Sequence, residues 1–262
     1  MIRAFKLFGL FARISTLNEM QYRANFFIQL LQSLISLGTG LAVLAVVFSY
    51  TSSLHGWSSG ELLAVMGVHI LMGGIMRTVI QPNMGRLMED VQEGSLDYAL
   101  TKPEDSQVMV SVRQFAIWAV VDILMGFIVL GWALVDIGNQ TTLSSALLFI
   151  FALFLGAIMI YCVFLMFTTL AFWFVRVWEI MEMFQSLYQA GRWPVGMYPD
   201  WLRAGLTYLI PVAFAVTVPA EALTGRLTPQ TILIATGFTV VLMWVSRAVW
   251  KYGLRHYTSA SS

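Results

Sequence analysis

The sequence is short of nearly everything from which soluble chemistry is built. Its one cysteine, Cys162, lies in an apolar segment, which excludes an internal disulfide and a thiolate metal cluster. Charged residues make up 11% of the 262 positions, where soluble domains carry roughly a quarter. A formal net charge of +1 gives no basis for nucleic-acid binding. None of the lysines, Lys6, Lys102 and Lys251, follows a glycine, so there is no Gly-x-x-x-x-Gly-Lys phosphate loop and this chain cannot itself supply an ATPase. No metal-ligand spacing, internal repeat or soluble domain is visible. The start does not read as a cleaved signal, because Arg3, Lys6 and Arg13 are spread through it rather than set ahead of one apolar core.

What is present is apolar: 58% hydrophobic residues and a mean hydropathy of +0.76. The chain therefore reads as a single all-α integral membrane domain over residues 1–262, with six transmembrane helices. Residues 1–22 are expected to hold an interfacial helix, with Phe5, Phe8 and Phe11 on an apolar arc opposite Lys6 and Arg13. A first span is predicted from Ala24 to Phe48. Its polar and small residues Asn25, Gln29, Gln32, Ser33, Ser36 and Gly40 share one face, which either packs on another helix or lines a path. The second span runs from Glu61 to Ile80, with His69, Gly73, Gly74 and Arg77, and Gln81-Pro82-Asn83 is expected to end it. A third span, Val108 to Val135, places Asp122 near its middle with no evident basic partner. That carboxyl is either a functional group or a protonated bridge between helices, and His69 poses the same choice.

The fourth span, Leu143 to Phe174, is long enough to tilt and is closed by Arg176. A fifth helix from Val177 carries Glu179, Glu182, Gln185 and Gln189, too polar for lipid and expected to be sheltered inside an assembly. Residues 193–228 are broken by prolines and read as re-entrant helices at the outer face, before a sixth span from Thr231 to Trp250. Six spans leave twelve of the fifteen Lys and Arg residues on one side, which makes both termini cytoplasmic.

Between the second and third spans lies a charged island, residues 84–103. Met84, Leu87, Met88 and Val91 form an apolar stripe on a short helix among Arg86, Glu89, Asp90 and Glu93. Once Pro82 and Pro103 separate that stripe from its neighbours, it has no partner visible within the chain. Gly94 suits a left-handed helix end, Ser95 can cap a second turn through Leu100, and Pro103 stops it.

This island, with Glu93-Gly94-Ser95-Leu96-Asp97 followed by Leu100, Lys102 and Pro103, resembles the cytoplasmic coupling-helix loop of type-2 ABC export permeases. Pro199, Trp201, Leu202 and Pro211 likewise resemble the Pro-rich stretch before the last span of that family. The resemblance implies a plasma (inner) membrane subunit surrounded by membrane lipids, with no catalytic residue or metal of its own. It further implies two copies of a nucleotide-binding ATPase subunit carrying ATP and Mg, and a second permease half, identical or homologous. The ATPase contact would use Leu87, Met88, Glu89, Val91, Glu93, Gly94, Leu96, Leu100, Lys102 and Pro103. A substrate path along Met72, Met76, Phe184 and Tyr188 would be apolar and adaptable, suiting export of a hydrophobic or amphipathic cargo. Two other readings remain. A membrane-embedded enzyme would use Glu61, His69 and Asp122, and an ion-coupled carrier would use Asp122 but would show repeated halves with broken helices.

Overall fold

The chain crosses a bilayer by helices alone. The structure, a computed structural model, describes residue 9 and residues 23–102, 104–138, 142–174 and 177–257. The expected interfacial helix, Pro103 and Arg176 lie outside the described residues, Gly9 apart. Five described helices are long and apolar enough to cross a membrane, or six if a pair bent by 77° counts as one span. In chain order the elements are α1 (Arg23–Tyr50), α2 (Ser59–Ile75), α3 (Gln81–Gln92), α4 (Asp97–Leu100), α5 (Ser106–Ser111) and α6 (Val120–Ile137). They continue with α7 (Leu143–Thr169), α8 (Trp178–Tyr188), α9 (Asp200–Ala204), α10 (Val218–Leu223) and α11 (Pro229–Leu254).

The architecture is set by a seam between α2 and α6. Gly60, Gly67 and Gly74 recur every seven residues on α2. A methyl at those positions would lie 2.7 Å from Asp136, 2.8 Å from Leu130 and 2.7 Å from the Ile123 backbone nitrogen in turn. Gly126 returns the contact, its missing Cβ 2.7 Å from the Cα of Leu71. Contacts that fall on α6 as they rise on α2 mean antiparallel helices, and a seven-residue repeat of small residues keeps two backbones close along their whole length. Elsewhere Gly156 lets α7 meet Ala215 of the bent pair, at 2.6 Å from the absent Cβ. Ala152, Leu155 and Met159 of α7 join Ala235 and Leu242 of α11 in a second cluster.

Three expectations fail here. The first is that Pro82 ends the second span: instead the helix runs unbroken for 34 residues, Ser59–Gln92. At about 1.5 Å per residue that is about 50 Å, well beyond a hydrocarbon core of about 30 Å. The proline is accommodated by a wide turn at Met76–Ile80, in which the Gln81 N–H reaches back five residues to Met76. Pro82 has no N–H to offer Thr78, and the Thr78 carbonyl accepts from the Ala116 N–H instead, at 3.0 Å.

The second is the single third span. The chain makes α5, leaves helical geometry, and restarts through a 3-10 turn at Ile117–Ala119 into α6. Buried Asn83 holds the gap: its Oδ1 accepts from the N–H groups of Arg113 and Gln114 at 2.7 and 2.9 Å, and its Nδ2 donates to Val79 and Gln114 carbonyls, each at 2.7 Å. The third is that the helix from Val177 makes a full fifth span. The 11-residue α8 reaches about 16 Å, half a bilayer core. Its Met181, Phe184 and Tyr188 are buried, while Glu179 and Glu182 are exposed. The spacing of its apolar residues fits one buried face, and its acids occupy the other.

Candidate functional site

The close approach at Gly74 determines the chemistry one turn further on. With the α6 backbone of Asp122 and Ile123 against Gly74, Arg77, three residues on in the wide turn that continues α2, reaches the Asp122 carboxylate. Its Nη2 lies 2.8 Å and its Nε 3.0 Å from Asp122 Oδ2. Gln29 of α1 donates to the same oxygen at 3.0 Å, and Ser33 donates to Oδ1. Asp122 is buried in the first turn of α6 rather than at mid-span, and it is ion-paired. The expectation that Asp122 has no basic partner is therefore overturned. Its partner lies 45 residues away in sequence, on a helix whose pairing only the glycine seam reveals.

Around this pair opens a cavity of about 210 Å³. Its walls are the polar stripe of α1 (Gln29, Gln32, Ser33, Ser36), His69, Gly73 and Arg77 of the second span, Asp122 and Met125 of α6, and Tyr188, Gln189 and Arg192. The α1 stripe thus faces a cavity that three other helical segments complete. His69 is buried, its ring stacked on Tyr188 with centroids 4.5 Å apart, and its carbonyl accepts the Tyr188 hydroxyl at 2.7 Å. Of the four residues expected along an apolar path, Met72, Met76 and Phe184 are packed in the core and do not line this opening, while Tyr188 forms part of its wall. Glu179 and Glu182 do not line it either. Glu61 is removed from it: its carboxylate caps its own helix at Ser58 and pairs with Arg226 at 2.6 Å. Glu61, His69 and Asp122 therefore form no common constellation.

At the far end of the 34-residue helix the charged island folds onto the chain itself. Met84, Leu87, Met88 and Leu96 are fully buried, packed with Ala99 and the half-buried Val91 and Leu100 in the main core. The expectation of an unpartnered stripe is wrong, because the helix does not break at Pro82 and so carries the stripe against α5 and α7. Asp90, also buried, pairs with Arg86 at 3.0 Å and Arg113 at 2.7 Å. Gly94 has the left-handed backbone expected, φ 71°. The Ser95 hydroxyl does not cap the next turn but donates to Asp90 at 3.1 Å. What remains exposed on the island is Glu89, Gln92, Glu93, Tyr98, Thr101 and Lys102.

Two polar locks flank this layout. Asp105 caps α5 and pairs with Arg247 of α11, and the same guanidinium donates to Gln107 at 2.7 Å. The Arg247 hydrogen bond holds the Asp105 carboxyl below the usual carboxylate range. At the opposite end Arg226 grips Glu61 and the Gly56 carbonyl and lies 4.6 Å over the Trp57 ring. The Glu61 hydrogen bond raises its affinity for the proton further. Asn83 and Arg77 were the site residues whose roles the sequence concealed. A polar residue directly after a proline in an apolar helix was the available signal for the first.

The sequence model of a family described as ABC-2 family transporter protein matches residues 34–261. No curated protein and no solved structure matches the chain.

Proposed function

The chain belongs to the ABC-2 family of transporter proteins, whose permeases are membrane transport components, and on that premise we propose that it is the permease subunit of an ATP-binding cassette exporter. ATP hydrolysis then lies in a separate nucleotide-binding subunit, present in two copies with its ATP and Mg, and a second permease half completes the path. The observation that carries the reading is the unbroken helix Ser59–Gln92, which lines the cavity through His69, Gly73 and Arg77 and ends in the charged island. A push on the island is transmitted along one helix to the cavity wall.

The buried stripe changes which residues meet the ATPase. Leu87, Met88 and Leu96 form the seat of the island, and the docking surface is its exposed rim: Glu89, Glu93, Tyr98 and Lys102, with Gly94 and Leu100 shaping it. Arg86, Arg113, Arg247 and Lys251 gather at this end, which supports reading it as the cytoplasmic side of the inner membrane. The apolar face of α1, with Phe27, Ile28, Leu31 and Ile35 exposed, provides the surface for the second half and for a hydrophobic or amphipathic cargo between the halves.

Affinity isolation of the tagged chain from its native membrane in mild detergent tests the reading. It should bring down an ATP-hydrolysing subunit. Glu93→Lys with Lys102→Glu should lose that subunit without change in thermal stability. Wild-type recovery of ATPase activity with the double variant would remove the island from the contact, and recovery of no ATPase with the unmodified chain would remove the permease assignment.

A further inference from the structure

Charge in the cavity does not balance. Arg77 is neutralised by Asp122. Arg192, on the other side of the opening, has one side-chain hydrogen bond among the described residues, to the neutral Ser36 hydroxyl at 3.3 Å. The acids flanking it in sequence, Glu179, Glu182 and Asp200, do not line the cavity. In the same wall the Nδ1 of His69 is buried with no hydrogen-bond partner among the described residues. His69 lies ten residues into its helix, about 15 Å from the start and so near the middle of a core of about 30 Å. Arg192 is exposed to the opening, and a guanidinium there that no acid pairs among the described residues is available to an anion.

Size and surroundings narrow the ligand. A space of about 210 Å³ accepts one headgroup and not a whole amphiphile. The uncovered apolar face of α1 beside it, Phe27, Leu31 and Ile35 among its residues, offers a surface for hydrocarbon. We propose that the cavity binds the anionic headgroup, phosphate or carboxylate, of an amphipathic molecule. Arg192 is the charged contact, Gln32 a hydrogen-bond donor, and the acyl chains lie along α1. As a cargo site this rests on the permease reading. As a binding site it does not require the ATPase.

The test uses the purified full-length chain in neutral detergent, with bound ligand counted by native mass spectrometry. Dioctanoyl phosphatidic acid and dioctanoylglycerol share tails and differ in the anion. The anionic lipid should bind at least about ten-fold tighter. Arg192→Gln, which keeps a donor toward Ser36, should abolish that preference, whereas Arg192→Lys should retain most of it. Gln32→Glu, at the exposed rim, should also abolish it and serves if the arginine variants fold poorly. Displacement of the lipid by inorganic phosphate would identify a free anion as the source of the group, and persistence of the lipid would identify a headgroup. Equal binding of the two lipids to wild type overturns the proposal, as does an undiminished preference in a folded Arg192→Gln or Gln32→Glu. Co-isolation of the ATPase with the same variants reads the permease assignment separately, so either can fail alone.

Discussion

Two helices of similar hydropathy behave differently in this molecule. Of its most apolar stretch, the Ser59–Gln92 helix buries 78% within the chain, whereas α1 buries 6%. The first is held by backbone contact along a glycine seam. The second is held at points, through Gln29 and Ser33 on Asp122 and Ser36 under Arg192. Hydropathy does not separate them. What separates them is where the small residues fall: at a regular seven-residue interval on α2, whereas on α1 polar residues on one face do the work of attachment. One helix is part of a rigid body, and the other is docked on it through polar contacts with its apolar face left for lipid or another subunit.

The contrast is most severely broken at the seam. Gly126→Leu would drive a side chain into the Leu71 backbone, and overpacking against backbone costs about 3 kcal/mol or more. The variant should fail to give a monodisperse peak in size-exclusion chromatography, where Gly131→Leu, with open space around it, should elute as wild type.

Next comes the buried seat of the island. Leu87→Ala removes a fully buried side chain and should cost about 2–5 kcal/mol, seen as a lowered unfolding temperature even without an ATPase. If stability is unchanged, the stripe is not packed as described. Asp122→Asn is expected to be smaller. Removing one member of a buried pair costs about 3–5 kcal/mol, but the Arg77 side chain is 39% exposed, so water offsets part of the loss and about 2 kcal/mol is expected. The double variant with Arg77→Gln should recover most of it. The α1 attachment should loosen, read as faster amide hydrogen exchange around Ser33, with the α2–α6 seam unaffected.

The smallest effect sharpens the comparison from outside the membrane. Asp105 has a depressed pKa when folded, so its contribution to stability is full above the unfolded value of about 3.9 and is lost as pH falls through the lower folded value. Because the pair with Arg247 is partly exposed, the loss should be slight, and Asp105→Asn should flatten only this acid limb of the thermal-stability profile.

Much of the layout was legible beforehand. The apolar runs located the long helices, the polar stripe of α1 announced a sheltered face, and Gly94 with its neighbours marked the island. What stayed hidden were interactions between positions far apart in sequence. Arg77 reads as a charge at a helix end until the seam places Asp122 beside it. Pro82 reads as a terminator because a proline's local effect is to break a helix, and nothing nearby in sequence shows that Ala116 supplies the missing hydrogen bond. Glu179 and Glu182 mark α8 as too polar for lipid, and the spacing of Met181, Phe184 and Tyr188 specifies which of its faces packs on the chain.

The bond from Ala116 to Thr78 has a mechanical meaning. The second helix is irregular at Met76–Ile80 and the third is interrupted before Ile117, and each irregularity satisfies the other, with Asn83 riveting them. They constitute one joint rather than two weak points. The α3 end of the helix cannot swing about its wide turn without shearing that joint or carrying the start of α6, and with it Asp122, along. The segment from Met76 to Gln92 is therefore one arm of a lever, whose fulcrum lies beside the only acid in the cavity wall among the described residues.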